Sequence, residues 1–95
     1  MRYFIHIAYD GTNYSGWQKQ PNAITVQEVI EKALRTILRQ EVEITGAGRT
    51  DAGVHALDMV AHFDHENIAD LERLKRNLNS LLPPNIAINE IEKVA

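Results

Sequence analysis

Apolar and polar positions alternate over residues 2–9, with Tyr3, Ile5, Ile7 and Tyr9 on one side and Arg2, Phe4, His6 and Ala8 on the other. Successive side chains of an extended strand point to opposite faces, so this pattern predicts a strand with one buried face. Asp10-Gly11 ends it, and residues 10–24 form a polar loop containing several Gly, Asn and Gln. The period then changes to that of a helix. Val26, Val29, Ile30, Ala33, Leu34, Ile37 and Leu38 make one apolar stripe. Thr25 and Glu28 fit a capping box at its start, and the pairs Glu28–Lys32 and Glu31–Arg35 are expected on the wet side. A short strand is expected around Val42–Thr45 and another over Leu57–Asp64. A second helix runs from its cap, Asp70, to Leu82, with Leu71, Leu74, Leu78, Leu81 and Leu82 toward the core and Pro83-Pro84 stopping it. Residues 86–94 form the last strand, whose imperfect alternation fits a bulge. The order β-α-β-β-α-β predicts the α+β class and a ferredoxin-like fold, a four-stranded antiparallel sheet with two helices on one face.

In that topology the loop joining the second and third strands leaves the sheet at one edge of its open face. Here the loop is Gly46-Ala-Gly-Arg-Thr-Asp-Ala-Gly-Val-His-Ala56, with three glycines around a single carboxylate. Such crowding suits a backbone that lets something large approach Asp51 closely. Arg49 and Asp51, two apart, fall on one side of an extended stretch, and a neighbouring guanidinium favours the ionised carboxylate, a nucleophile or acceptor at neutral pH. A plain hairpin turn, with Asp51 bonding its own backbone and Gly53 at positive φ, accounts for Asp-Ala-Gly alone. It leaves Gly46, Gly48, Arg49 and His55 unexplained. Two phosphate-loop patterns fail: Val54 and His55 stand where a P-loop needs Lys and Ser/Thr, and Asp51 stands where a dinucleotide fingerprint needs its third glycine.

Composition narrows the class. At 95 residues, 44% hydrophobic and 24% charged, the chain is an ordinary globular domain with a small core. It has no cysteine, hence no disulfide framework or thiolate metal site. No apolar run approaches the roughly 18–20 residues of a membrane span, and the opening segment is too soon polar for a signal peptide. A cytoplasmic protein without a membrane or metal partner is expected. Ten Lys plus Arg against 13 Asp plus Glu give a formal charge of −3, so a basic surface for nucleic acid must be local or lie outside these residues.

The string Gly48-Arg-Thr-Asp-Ala-Gly-Val-His-Ala56 resembles the catalytic signature of the TruA family of tRNA pseudouridine synthases, and Gly16-Trp-Gln18 resembles a segment near the start of the same family. The resemblance covers essentially the whole chain, while family members are much longer. It implies that residues 1–95 are the N-terminal, catalytic-aspartate domain, with the C-terminal domain that closes the cleft absent from this chain. The implied activity is an isomerase that converts uridine to pseudouridine in the anticodon stem-loop of tRNA. Asp51 would be the nucleophile, the atom it attacks being left open. Arg49 would ion-pair with Asp51 or occupy the space of the flipped nucleotide. Thr50, His55, Gln18 and Lys19 are the remaining candidate substrate-binding residues, His55 serving either the RNA or the shape of the loop. The resemblance further implies no cofactor and no metal, tRNA and a second copy of the chain as partners, and inactivity of this domain by itself.

Other candidates are weaker. Trp17, the only tryptophan, is expected to pack over the sheet edge and anchor its long loop. His62 and Asp64 fall on one strand face and His65 on the other, so that segment builds no three-ligand site. Neither Ser15 nor Ser80 has the setting of a nucleophilic serine. Arg35, Arg39, Arg73 and Arg76 read as a solvated helical surface. The alternative class is a non-catalytic RNA-binding or protein-interaction module of ferredoxin-like fold. It would call for a basic patch and clustered sheet aromatics, whereas Tyr3, Phe4 and Tyr9 alternate faces.

Overall fold

The alternation at the N-terminus becomes strand β1 (Arg2–Tyr9) in the structure, a computed structural model that describes residues 1–18, 20–46, 53 and 55–94. Tyr3, Ile5 and Ile7 are fully buried and Tyr9 nearly so. β1 is central: it pairs antiparallel with β3 (Ala56–Asp64) on one side and β4 (Ile86–Lys93) on the other. The two-residue β2 (Thr45–Gly46) lies outside β3, giving the order β2-β3-β1-β4. Helices α1 (Val26–Leu38) and α2 (Leu71–Leu81) bury their apolar stripes with the inner sheet residues in one core cluster. The expected ferredoxin-like α+β fold is therefore present.

Local signals act where the sequence places them. Thr25 Oγ1 accepts the Glu28 N–H at 3.4 Å, and Asp70 Oδ1 accepts the Arg73 N–H at 3.0 Å, so each helix starts on a side-chain cap. β4 carries the bulge: Ile7 faces Ile88 but His6 faces Glu90, leaving Asn89 as the extra residue.

Three expectations are corrected. Glu31 is not on the wet side; it is 6% exposed, and its Oε2 accepts the Ile44 N–H at 2.9 Å and the Gln27 side-chain N–H at 3.0 Å. The chain after α1 runs back against the helix with Val42 and Ile44 buried, and the Ile44 amide needs an acceptor there. Arg35 pairs instead with Glu41 at 3.5 Å. The second strand is Thr45–Gly46 rather than 42–45, because Val42 and Ile44 bury their side chains without forming a sheet ladder. Leu81 is 51% exposed, since α2 ends there and its C-cap residue, Leu82, takes the core position.

Candidate active site

The motif stretch leaves β2 at Gly46 and rejoins the sheet at β3. Asp51, Arg49, Thr50 and Lys19 lie outside the described residues. Gly46, Gly53 and His55 are described, and all three are held by the loop that follows β1.

Gly46 touches the Trp17 indole so closely that a Cβ there would stand 2.5 Å from Trp17 Nε1 and 2.9 Å from its Cε2. Only glycine fits without displacement. Trp17 is 2% exposed and stacks on Tyr9, with ring centroids 6.4 Å apart. It therefore anchors its loop at the sheet edge, as its position in the sequence suggests. Gly53 has φ of +81°, which suits a residue without Cβ, and donates its N–H to the Tyr14 carbonyl at 3.2 Å. His55 Nδ1 lies 2.9 Å from the Gly11 amide and 3.1 Å from Asp10 Oδ1. Nδ1 accepts the Gly11 N–H, and a ring that accepts there carries its proton on Nε2.

The holding loop is itself braced. Asp10 Oδ1 accepts from the Thr12 hydroxyl at 2.6 Å and the Thr12 amide at 3.0 Å, capping the short turn Gly11–Asn13. The Thr12 hydroxyl, then the Thr12 amide and the nearby His55 hold the Asp10 carboxyl below the usual carboxylate range. Tyr14 donates its hydroxyl to Asn85 Oδ1 at 2.8 Å, and burial pushes its pKa up. An open cleft of about 450 Å³ adjoins this turn, with Ala8, Asp10, His55, Leu57, Asn85 and Ala87 in its lining. Leu57 is 89% exposed there. Gln18, also exposed, follows Trp17 on the same loop.

Sequence reasoning missed the part played by Asp10, Gly11, Tyr14 and Asn85. The available signal was two aromatic residues, Tyr14 and Trp17, inside a polar loop. It also missed a cluster on the open sheet face. His6 Nε2 lies 2.7 Å from Glu92 Oε2 and His6 Nδ1 lies 3.3 Å from Asp58 Oδ1. The Glu92 hydrogen bond, partly offset by burial and aided by Asp58, holds the His6 pKa above its ordinary value. Among the described residues His6, Glu90 and Glu92 also have the mutual spacing of a metal-ligand set, with ligand atoms within 4.8 Å of one another. The β4 bulge brings Glu90 and Glu92 to the His6 side, which plain alternation from Ile86 would not do. No described helix is long and apolar enough to cross a membrane.

Fold and site together define an α+β domain that carries a glycine-flanked, aspartate-bearing loop at the edge of an open antiparallel sheet. A family model described as tRNA pseudouridine synthase matches residues 5–95, and the chain belongs to that family. It is 60% identical over 93 residues to the tRNA pseudouridine synthase A of Bacteroides thetaiotaomicron, covering 98% of this chain and 35% of that protein. The same-named proteins of Porphyromonas gingivalis and Geobacter sulfurreducens are 54% and 49% identical, over 98% and 92% of this chain and 38% and 36% of theirs. The chain thus spans little more than a third of the length of these relatives.

Proposed function

We propose that this chain is the N-terminal, aspartate-bearing domain of a cytoplasmic tRNA pseudouridine synthase acting on uridines of the anticodon stem-loop. The observation that carries this reading is the family match across residues 5–95, which includes the loop bearing Asp51. Asp51 acts as the nucleophile on a uridine taken out of the base stack, since the reacting atoms are inaccessible within a helix. The C1′–N1 bond breaks, the uracil turns, and a C1′–C5 bond forms; C5 gives up its hydrogen to solvent and N1 gains a proton. The isomerisation is redox-neutral and needs no cofactor to balance.

Arg49, two residues before Asp51 in the sequence, ion-pairs with its carboxylate or occupies the space of the flipped nucleotide. Thr50, His55, Gln18 and Lys19 contact the substrate. His55 is suited to this while Nδ1 holds Gly11, because the neutral ring then has an N–H on Nε2 to offer. A second domain completes the cleft and supplies basic surface for phosphates, and a second copy of the whole protein supports the bound tRNA. This chain alone is inactive on that reading.

The test is to incubate the whole gene product with unmodified tRNA and map pseudouridine by carbodiimide modification and primer extension. Pseudouridine confined to the anticodon arm is the expected result. Its absence from every arm contradicts the activity, and its appearance only in another arm contradicts the proposed target.

A further inference from the structure

Both flanks of the motif loop are set by the segment that follows β1, and the tightest of these contacts is Trp17 on Gly46. We propose that Trp17 is a positioning residue for Asp51: its indole fixes where the chain leaves β2, and Gly46 is the one residue type that lets it do so. This deepens the synthase reading and rests on Asp51 as the nucleophile.

The contact is built as a gauge. An added Cβ on Gly46 meets Trp17 Nε1, Trp17 Cε2 and, at 2.6 Å, Met59 Cε. The methionine methyl is the end of a flexible chain and can swing away. The indole cannot. It is 2% exposed and stacked on Tyr9. The backbone beneath it is tied to the start of α1, where Val26 N–H donates to Gly16 O at 3.2 Å and Gln27 N–H to Trp17 O at 3.0 Å. Those two amides belong to the first turn of the helix, which lacks intrahelical acceptors for them.

The same helix holds the residues just before Gly46. Gln27 donates to Ile44 O at 2.9 Å, and Glu31 accepts from Ile44 N–H. α1 therefore reaches the entrance of the motif loop twice, by hydrogen bonds to Ile44 and through Trp17 to Gly46. At the exit, Gly53 N–H on Tyr14 O and Gly11 N–H on His55 Nδ1 come from the same 10–17 segment. On the synthase reading, a nucleophile carried between two such fixed points takes its direction from them. Catalysis is sensitive to that direction, and misplacement by about 1 Å can cost a hundredfold in rate.

The test is a double-mutant cycle in the whole gene product, comparing wild type, Gly46→Ala, Trp17→Leu, the pair, and Asp51→Asn. Single-turnover rate, tRNA affinity and melting temperature are measured for each. Leucine removes Nε1 and Cε2, so it makes room for the alanine methyl. Gly46→Ala is expected to lower the rate of the chemical step by about ten- to a hundredfold with tRNA affinity within about threefold of wild type. The pair should be faster than Gly46→Ala alone and no slower than Trp17→Leu alone. A wild-type rate in Gly46→Ala overturns the proposal, as does strictly multiplicative loss in the pair. So does a fall in melting temperature or affinity with the bound-state rate unchanged. If Gly46→Ala does not fold, the pair must, because the clash has been removed; failure of both overturns the gauge as well. An inactive wild type, or an active Asp51→Asn, strikes instead at the underlying function.

Discussion

His6 shows how a single side chain acquires a property its sequence neighbours do not announce. Its imidazole, 18% exposed, lies between Glu92 and Asp58, and the Glu92 hydrogen bond raises its pKa above the ordinary 6.5. The folded state therefore binds the proton more tightly than the unfolded chain does. The stabilisation is fully present below about pH 6.5 and is lost as pH rises through the raised folded value. Calorimetric melting temperatures measured from about pH 6 to about pH 9 should fall more steeply for wild type than for His6→Gln, which does not titrate there. Parallel profiles contradict the pairing. Alternation in β1 is enough to place His6 on the open face, but its partners come from β3 and β4 and depend on strand order and the bulge.

At the scale of elements, most of the fold is legible in the sequence, and each exception has its own cause. The stripe of α1 and its Thr25 cap are local facts, and both hold in the structure. The two adjacent polar residues Asn89 and Glu90 break the alternation of β4 where the bulge occurs. Glu31 is the opposite case. Charged residues are seldom buried unless paired, and besides Gln27 its partners include a backbone amide at Ile44, in a segment with no pattern of its own. Glu31→Ala strands that buried N–H and is expected to cost about 1–3 kcal/mol in urea unfolding. Glu31→Gln keeps an acceptor oxygen and should cost clearly less. Equal and negligible losses in both variants contradict the assigned role of Glu31. Leu81 departs from expectation because the stripe marks the side of α2 but not the residue at which it stops.

Taken whole, the molecule is a ferredoxin-like domain whose topology follows from the switch between two- and 3.6-residue periods. The support of its motif loop was hidden, because it joins residues 10–17 to 46–55 across a long chain separation. His55 and Gly11, for instance, are 44 residues apart. The motif residues read as candidate chemistry from the sequence, while the contacts that hold Gly46, Gly53 and His55 do not. A formal charge of −3 gives the domain no general attraction for phosphate.

The central claim, that the motif loop carries the nucleophile, is tested most directly by tritium release from tRNA labelled at uridine C5, with wild-type and Asp51→Asn forms of the whole gene product. Asparagine keeps size and hydrogen bonding but removes the nucleophilic carboxylate. The expected result is release with wild type, none above background with Asp51→Asn, and equal tRNA binding by the two. Release by Asp51→Asn at a rate near that of wild type contradicts the claim.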